Sequence, residues 1–411
     1  MLATTTSPES CRSSVKRAVK SDLRVTILTG GSDKPYALGL ADALITAGVA
    51  FDFIGSDEVD SPELRHNAQV NFLNFRGDMS PKAGILSKAL RVARLYLRLL
   101  AYVCTSRPKI FHILWNNKFE MLDRTALMLY YKLFGKRIIF TAHNVNRSAR
   151  DGMDSWLNRL TLKTQYRLAD HIFVHTERMR RELLSDFGLP EANVTVIPFG
   201  INNTVPNTGL TPAEAKQKLG LQPGEKALLF FGRIVPYKGL EYLITAMAEG
   251  APFQADYRVI IAGSLPRGEE YWNRVQNEIA RHGLRERLIE RIEFVPDEQT
   301  ELYFKAADAL VLPYTDIFQS GVLFLAYSFG LPVIAADVGS FPEDIIEGET
   351  GFVFESKNTA ALAGTIKRYF ESPLYQQLEQ RRPGIKEFAN RRYSWHEVAA
   401  ITTARYAKLL Q

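Results

Sequence analysis

Short β-rich runs that alternate with helical patterns are the feature that most limits how this sequence can fold. The first run, residues 23–28, ends in Thr29-Gly30-Gly31-Ser32, and a helical pattern separates it from a second run at residues 50–54. Strands joined through helices form a parallel sheet covered on both faces. The first half of the chain is therefore predicted to be a doubly wound α/β domain. Four more strands of this half are predicted at residues 110–114, 137–141, 171–175 and 194–197.

The same alternation restarts near residue 226, after a segment at residues 198–223 that is rich in Pro, Gly, Asn and Thr and is typical of a linker. A chain of 411 residues is also long for a single hydrophobic core. Two doubly wound domains in tandem are therefore predicted. The strands of the second domain are predicted at residues 227–231, 257–262, 292–295, 309–312, 332–335 and 351–354.

Composition indicates a soluble globular protein, which is predicted to stay in the cytoplasm. No apolar run is long enough for a membrane span, and the polar, basic residues 1–22 lack the apolar stretch of a secretory signal, so they are predicted to be a disordered tail. Residues 1–200 contain 28 Lys and Arg against 19 Asp and Glu, whereas residues 201–411 contain 23 against 26. This asymmetry predicts an anionic partner for the first half only.

Two cations follow the first strand of the second domain. Arg233 comes directly after Gly232, and Lys238 precedes Gly239 at the start of a helical pattern. Ligands of open α/β sheets bind beyond the carboxyl ends of the strands. An Arg, a Lys and the N–H groups of a helix start suit a diphosphate. The alternative for this pair, taken alone, is a solvated loop.

A second candidate segment, Phe318-Gln319-Ser320-Gly321-Val322, lies between a strand and a helix. Ser and Gly at a helix start leave N–H groups available to an anion, although an ordinary helix cap is the alternative. Two such helix starts and two cations at strand ends of one domain favour a phosphate site.

Several segments of the second half together resemble glycosyltransferase family four. They are residues 231–239 (FGRIVPYKG), 307–313 (ADALVLP), 329–335 (FGLPVIA) and 339–343 (GSFPE), with residues 197–202 (IPFGIN) and 394–397 (SWHE). The resemblance runs from about residue 23 to the end and is strongest over residues 197–355. It implies a GT-B fold, with two Rossmann-like domains facing across a cleft. Residues 23–200 would form the acceptor domain and residues 201–389 the donor domain, with a C-terminal helix at 390–411 packing back on the first.

The resemblance also assigns roles to residues. Arg233 and Lys238 would bind the donor diphosphate and stabilise the leaving nucleoside diphosphate. Gly31 and Ser32 align with paired glycines that approach the phosphates from the first domain. His143, after the strand at 137–141, matches a histidine near the donor sugar, where it would orient that sugar or take the acceptor proton. Val295 would lie near the nucleotide base.

The sequence departs from the family pattern at the two glutamates that contact the donor sugar and the ribose. Those positions are occupied by Ile317 and Leu325. A Gln-Ser-Gly-Val helix start also occurs among relatives. The resemblance therefore implies that Gln319 and the N–H groups of Ser320, Gly321 and Val322 make these contacts. Retention or inversion at the sugar stays open.

The acceptor side is less constrained. Asp151 and Glu120 are carboxylates that could be an acceptor base or surface loop acids. Arg91, Arg94 and Arg98 share one face of an amphipathic helix, which predicts either contact with an anionic membrane or a solvated face over a core-facing apolar stripe. The membrane interpretation predicts a peripheral protein of the inner face and a lipid-linked acceptor.

The sequence thus predicts transfer of a sugar from a UDP- or GDP-sugar to a carbohydrate or lipid-linked acceptor in glycan or exopolysaccharide assembly. The alternatives are glycosylation of a soluble small molecule and a non-catalytic nucleotide-binding GT-B scaffold. No ligand spacing for a metal is found, so neither metal nor cofactor is predicted. The basic residues lack aromatic platforms, so no nucleic acid is predicted.

Overall fold

The computed structural model describes residues 23–31, 34–79, 84–150, 152–203, 205–249, 256–265 and 269–411. The chain divides into two compact units. The first comprises the described residues up to Gly200 together with Trp395–Gln411, and the second comprises Ile201–Ser394. The predicted tail at residues 1–22, and with it Ser32 and Asp151, lies outside the described residues.

The first unit is built on a parallel sheet of seven strands in the order β3-β2-β1-β4-β5-β6-β7. Interior strands are nearly continuous apolar runs because both faces are covered, and Val25 of β1 pairs with Phe51 of β2 on one side and with Ile110 of β4 on the other. The chain order reverses between β1 and β4, which is where open sheets bind ligands. The strands are β1 Arg24–Leu28, β2 Ala50–Gly55, β3 Val70–Asn74, β4 Ile110–Ile113, β5 Arg137–Thr141, β6 His171–Val174 and β7 Val194–Val196.

Helices connect these strands, and several begin at a side-chain cap. Ser155 and Thr176 each accept a hydrogen bond from an N–H of the first turn that they precede. The helices of the first unit are Lys34–Thr46, Pro62–Arg65, Ile85–Thr105, Glu120–Leu122, Met128–Leu133, Arg147–Arg150, Trp156–Leu168, Glu177–Phe187 and Trp395–Leu410, with a π-helical turn at Asp123–Leu127.

The last helix belongs to the first unit because two glycines admit its tryptophan. A Cβ on Gly39 or on Gly200 would come within 2.3 Å or 2.5 Å of the Trp395 ring. Further along the helix, the hydroxyl of Tyr406 lies 2.5 Å from Nδ1 of His112, which is buried in β4. The helix therefore packs on the sheet of the first unit as part of its core.

The second unit repeats the design with six parallel strands in the order β10-β9-β8-β11-β12-β13, and its order reverses between β8 and β11. Its strands are β8 Lys226–Phe231, β9 Tyr257–Ala262, β10 Leu288–Arg291, β11 Ala309–Leu312, β12 Val333–Ala336 and β13 Gly351–Phe354. Its helices are Pro212–Lys218, Leu240–Glu249, Glu270–Arg281, Asp297–Ala306, Gly321–Ser328, Phe341–Asp344, Thr359–Glu371, Pro373–Gln376 and Leu378–Arg392. The predicted pair of doubly wound domains is confirmed.

Three local predictions differ from the structure. The strand predicted at 292–295 is wrong, because β10 pairs only along β9, which ends at Ala262 opposite Arg291. Strand β3 was not predicted, and its side chains are half-buried or exposed, as at the edge of a sheet. The predicted linker contains the helix Pro212–Lys218, whose start is fixed by a capping box between Thr211 and Glu214.

Candidate functional site

The two predicted cations of the second unit follow β8, and Gly232 allows one of them to approach. Gly232 has φ +98°, and a Cβ there would lie 2.8 Å from Nζ of Lys238 and 3.7 Å from Cγ2 of Val322. The structure therefore brings Lys238 and the start of the helix Gly321–Ser328 together around the end of β8. A side chain at position 232 would displace the ammonium group.

Lys238 is a buried cation without an ion-pair partner in the described part of the chain. It is 7% exposed, its Nζ donates to the carbonyl of Phe231 at 3.3 Å, and the ammonium lies 5.3 Å from the centre of the Tyr314 ring. Burial, together with the nearby charge of Arg233, lowers the pKa of Lys238 to about 8. A buried ammonium held by one carbonyl is poorly compensated, so the site favours an anionic ligand.

Arg233 lies on the exposed side of the same loop and makes no ion pair within the described ranges. Its exposure leaves the guanidinium able to donate to a ligand from solvent, whereas Lys238 donates from within the domain. The alternative that both cations belong to a solvated loop therefore holds only for Arg233, because Lys238 is buried.

The helix start at Gly321 presents the second group of donors. Ser320 occupies the cap position with extended backbone, and its side chain accepts no hydrogen bond from the first turn. Its neighbour Gln319 is half-buried, and Oε1 of that side chain is shielded and accepts no hydrogen bond from described residues. The first N–H groups of a helix have no partner inside it, so this end suits an anion.

The two positions predicted to lack the family's glutamates are buried in the second unit. Ile317 and Leu325 are each 7% exposed, so neither position offers a polar group to a ligand. Val295 is 8% exposed and lies between β10 and the helix Asp297–Ala306. Its contact with a nucleotide base stays a prediction.

In the first unit, His143 follows β5 and belongs to a chain of hydrogen bonds across three strands. Its Nδ1 lies 3.1 Å from Nε2 of His175, and Nδ1 of His175 lies 3.3 Å from the carbonyl oxygen of Ile197. Burial lowers the pKa of His143 well below its usual value and that of His175 to about 4, so both rings are neutral at pH 7. The carbonyl can only accept, so His175 carries its proton on Nδ1 and accepts at Nε2.

His143 must then carry its own proton on Nδ1, which leaves Nε2 as a lone-pair acceptor. That atom is shielded and has no donor among the described residues. The ring is stacked on Trp115, with centroids 4.1 Å apart and planes at 3°. This arrangement fixes Nε2 as a hydrogen-bond acceptor, and its low basicity favours acceptance of a hydrogen bond over removal of a proton. Its contact with a substrate hydroxyl stays a prediction.

The paired glycines after β1 contact a cation that the sequence did not reveal. A Cβ on Gly30 would fall 2.4 Å from Trp115, and a Cβ on Gly31 would fall 2.6 Å from Nη1 of Arg76. Both glycines have positive φ, at +63° and +72°. Arg76 follows β3, so the rule that selected Arg233 would have selected it had β3 been predicted. Glu120, in contrast, pairs with Arg124 as a surface acid does.

The helix Ile85–Thr105 carries the three predicted membrane-contact arginines. Arg94 and Arg98 are exposed, whereas Arg91 is half-buried and lines a cavity with Gly30 and Gly31. The apolar stripe expected to face the core is exposed over most of its length. Ile85 is 89%, Leu86 74%, Leu90 61% and Leu97 67% exposed, while Leu95, Leu99 and Val103 are buried. No helix among the described residues is long and apolar enough to cross a membrane.

No three His, Cys, Asp or Glu side chains converge as a metal site in the part of the chain that the structure describes. The absence of a metal in the reaction stays a prediction.

Two Rossmann-like units with cations and helix starts at their strand ends define the GT-B class, and comparison with known proteins agrees. The protein-family model described as "Glycosyltransferase Family 4" matches residues 34–204, and the family model described as "Glycosyl transferases group 1" matches residues 212–387. The two matches together span most of the chain. The chain therefore belongs to the GT-B glycosyltransferases of the family-four type, as the sequence motifs indicated.

A D-inositol 3-phosphate glycosyltransferase of Corynebacterium aurimucosum is 26% identical over 284 residues, which is 66% of this chain and 66% of that protein. The chain thus spans slightly less than two thirds of this curated relative.

Two solved structures share the fold over nearly the whole chain. Sucrose-phosphate synthase from Thermosynechococcus elongatus has a TM-score of 0.74 at 19% identity, over 94% of this chain and 99% of that one. Alr3699/HepE of Anabaena, in complex with UDP and glucose, has a TM-score of 0.71 at 17% identity, over 93% of this chain and 100% of that one.

Proposed function

We propose that this protein transfers a hexosyl group from a nucleotide-sugar, either a UDP-sugar or a GDP-sugar, to a carbohydrate or lipid-linked acceptor. Glycan or exopolysaccharide assembly in the cytoplasm is the proposed setting. The observation that carries the proposal is Lys238, a buried ammonium without a carboxylate partner among the described residues, at the end of β8. The solved structure of Alr3699/HepE in complex with UDP and glucose, which shares this fold, supports the donor class.

The chemistry follows from where negative charge grows. As the bond between the sugar and the diphosphate breaks, charge accumulates on the leaving phosphate oxygens, and fixed cations stabilise that state more than the ground state. Lys238 supplies a charge from inside the domain, Arg233 supplies a bidentate donor from the surface, and the helix start at Gly321 supplies N–H groups. Because these groups balance the charge of the diphosphate, the reaction is proposed to need no metal and no cofactor.

The test is a thermal-shift screen against UDP, GDP, ADP and their sugars, with UMP as the control that lacks the second phosphate. A ligand at 100 times its Kd stabilises by about 2.7 kcal/mol, which corresponds to a rise in Tm of roughly 5–10 °C for a unit of this size. We expect one diphosphate series to give this rise and UMP to give much less. A flat response to every diphosphate would refute the donor site.

A non-catalytic nucleotide-binding protein is the second candidate, because buried Ile317 and Leu325 replace the family's polar contacts. It predicts the same thermal shift without release of nucleoside diphosphate from the sugar nucleotide. Release that is accelerated by an acceptor distinguishes the enzyme from this scaffold.

We also propose that the first unit binds an anionic membrane surface through the exposed side of the helix Ile85–Thr105. Ile85, Leu90 and Leu97 offer apolar area beside the exposed Arg94 and Arg98. Neighbouring elements add to the surface, because the ring of Tyr96 on this helix is stacked on Phe119 with centroids 5.7 Å apart. Further exposed apolar side chains of the first unit include Met121, Leu129, Leu133, Met153 and Trp156. Exposed apolar side chains with arginines on the same helix suit a lipid surface with anionic headgroups.

The protein is expected to float with phosphatidylglycerol vesicles at low salt and not with phosphatidylcholine vesicles. Replacing Leu90 and Leu97 with Ser should weaken binding about 10–30-fold, since each Leu contributes about 1 kcal/mol when partly inserted. Phe294→Ser, an equally exposed apolar side chain of the second unit, is the matched control and should change nothing. A lipid-free dimer that the Leu variants dissociate would show that a second copy, not a membrane, covers this face.

A further inference from the structure

The first unit contains a cavity of about 410 Å³ whose charged lining is entirely basic among the described residues. It opens where the sheet order reverses, between the ends of β1 and β4, and one wall is the helix Ile85–Thr105. Its volume is that of a site for a small organic molecule rather than for a single ion. The residues lining it are Gly30, Gly31, Arg76, Met79, Lys88, Arg91, Val92, Leu95, Asn117 and Lys118.

Arg76 lines this cavity, and its guanidinium forms no direct ion pair with any residue that the structure describes. The residue is 7% exposed, and its side chain makes one hydrogen bond within the described residues, from Nη2 to Oδ1 of Asn117. Asn117 in turn donates to Oδ1 of the buried Asp123 at 3.1 Å, and that oxygen also accepts from Tyr96 at 3.0 Å. The carboxylate therefore lies one residue behind the guanidinium and orients it through Asn117.

Burying a guanidinium without a paired carboxylate is unfavourable, and a bound anion removes most of that penalty. Arg91 is half-buried and Lys118 is exposed at the same cavity, and neither forms an ion pair in the part of the chain that the structure describes. The planar guanidinium of Arg76 can donate two parallel hydrogen bonds to phosphate oxygens. The guanidinium of Arg91 and the ammonium of Lys118 add further donors at the same cavity, so that together they suit the tetrahedral oxygens of a phosphate.

We propose that this cavity binds a phosphomonoester group of the acceptor, so that the acceptor is a phosphorylated molecule, with Arg76 as the main contact. The proposal rests on the proposed transferase function, in which the first unit serves the acceptor. The phosphate can come from a soluble phosphorylated sugar or polyol, or from the headgroup of a lipid at the surface formed by the same helix. Both sources share one chemistry, and the two arms of the test separate them.

The soluble arm measures binding of inositol 3-phosphate and of unphosphorylated inositol by calorimetry, on the full chain with UDP at saturation. Saturating UDP occupies the proposed donor site, so a phosphate that binds there cannot be counted. We expect saturable binding of the phosphorylated probe only, weakened at least tenfold in Arg76→Gln and also in Arg91→Gln, which lies on a helix surface and is tolerated by the fold. Arg181→Gln, an exposed arginine of the same unit outside the cavity, is the control and should bind like the wild type.

The lipid arm compares two kinds of vesicle. One contains phosphatidic acid, which is a phosphomonoester, and the other contains the same mole fraction of phosphatidylglycerol, which is a phosphodiester. A lipid source predicts tighter binding to phosphatidic acid that disappears in Arg76→Gln, while binding to phosphatidylglycerol is unchanged by this substitution. The proposal is overturned when neither arm shows a preference for phosphomonoester that depends on Arg76. The UDP-induced thermal shift should be the same in Arg76→Gln as in the wild type, so a failed acceptor site and a failed donor site give different results.

Discussion

Arg233→Gln combined with Lys238→Met is expected to lower the affinity for the nucleoside diphosphate 10²–10⁴-fold while the protein stays folded. Each charge-assisted contact to a phosphate contributes about 1.5–3 kcal/mol, and two such contacts give the stated range. Calorimetric titration with UDP and GDP measures it. Affinity within threefold of the wild type for the nucleotide that the native protein binds would contradict the assignment of these two cations.

Lys238 offers a sharper form of the experiment, because function and stability should respond in opposite directions. Its ammonium is buried with one carbonyl contact, so Lys238→Met removes an uncompensated charge and should leave the Tm of the free protein unchanged or raise it. Lys216→Met is the matched control in the same unit. Lys216 pairs with Asp308 at 2.8 Å, so its loss leaves a buried carboxylate unpaired and should destabilise by about 3 kcal/mol without weakening nucleotide binding.

The pH dependence of nucleotide binding checks the same group. The pKa of Lys238 in the free protein is about 8, and only the protonated amine attracts the diphosphate. Affinity should therefore be constant from pH 7 to about 8 and fall by up to tenfold per pH unit above that, whereas phosphate oxygens are fully ionised throughout. Lys238→Met should show no such decline. An equal decline in both proteins would assign the titration to another group.

The extent to which the fold follows from the sequence depends on burial. Strands β1 and β8 were predicted because most of their residues are buried and form runs rich in β-branched, aliphatic or aromatic side chains. Strand β3 was missed because, with sequence VNFLN and no fully buried side chain, it carries no such run. The strand β10 was placed too far along the chain because the apolar residues of 292–295 continue past the point where β9 ends, and a ladder needs a partner as well as a pattern.

The candidate site shows the same limit. Arg233 and Lys238 could be selected because their strand was recognised and position after a strand is a local feature. Arg76 could not, because the strand before it was missed. The position of the proton on His143 is even harder to predict from the sequence, because it is fixed by His175 and by the carbonyl of Ile197. These groups come from the ends of β5, β6 and β7, which only the sheet order makes neighbours.

His143→Phe is expected to lower turnover about 10²-fold while nucleotide affinity stays within about twofold of the wild type. A phenyl ring keeps the stacking on Trp115 but removes both the acceptor lone pair on Nε2 and the Nδ1–H bond to His175, and the His175 variants below separate the two losses. Because the pKa values of His143 and His175 are both lowered, neither ring titrates between pH 6 and 9, and the loss should be independent of pH over that range. Wild-type turnover in His143→Phe would leave the ring with a packing role alone.

His175 then tests whether the orientation of the proton matters. In His175→Leu, Nδ1 of His143 loses its acceptor and the proton is free to move to Nε2, where it would remove the lone pair proposed to contact the substrate hydroxyl. We therefore expect turnover to fall in His175→Leu. In His175→Gln the side-chain amide can still accept from His143 and donate to the carbonyl of Ile197, so this variant should retain most of the turnover. The ¹⁵N chemical shifts of His143 report the tautomer directly. A turnover loss in His175→Leu without a change of tautomer would mean that His175 acts through packing, since a hydrogen-bond relay must move the proton on His143 before it can affect the reaction.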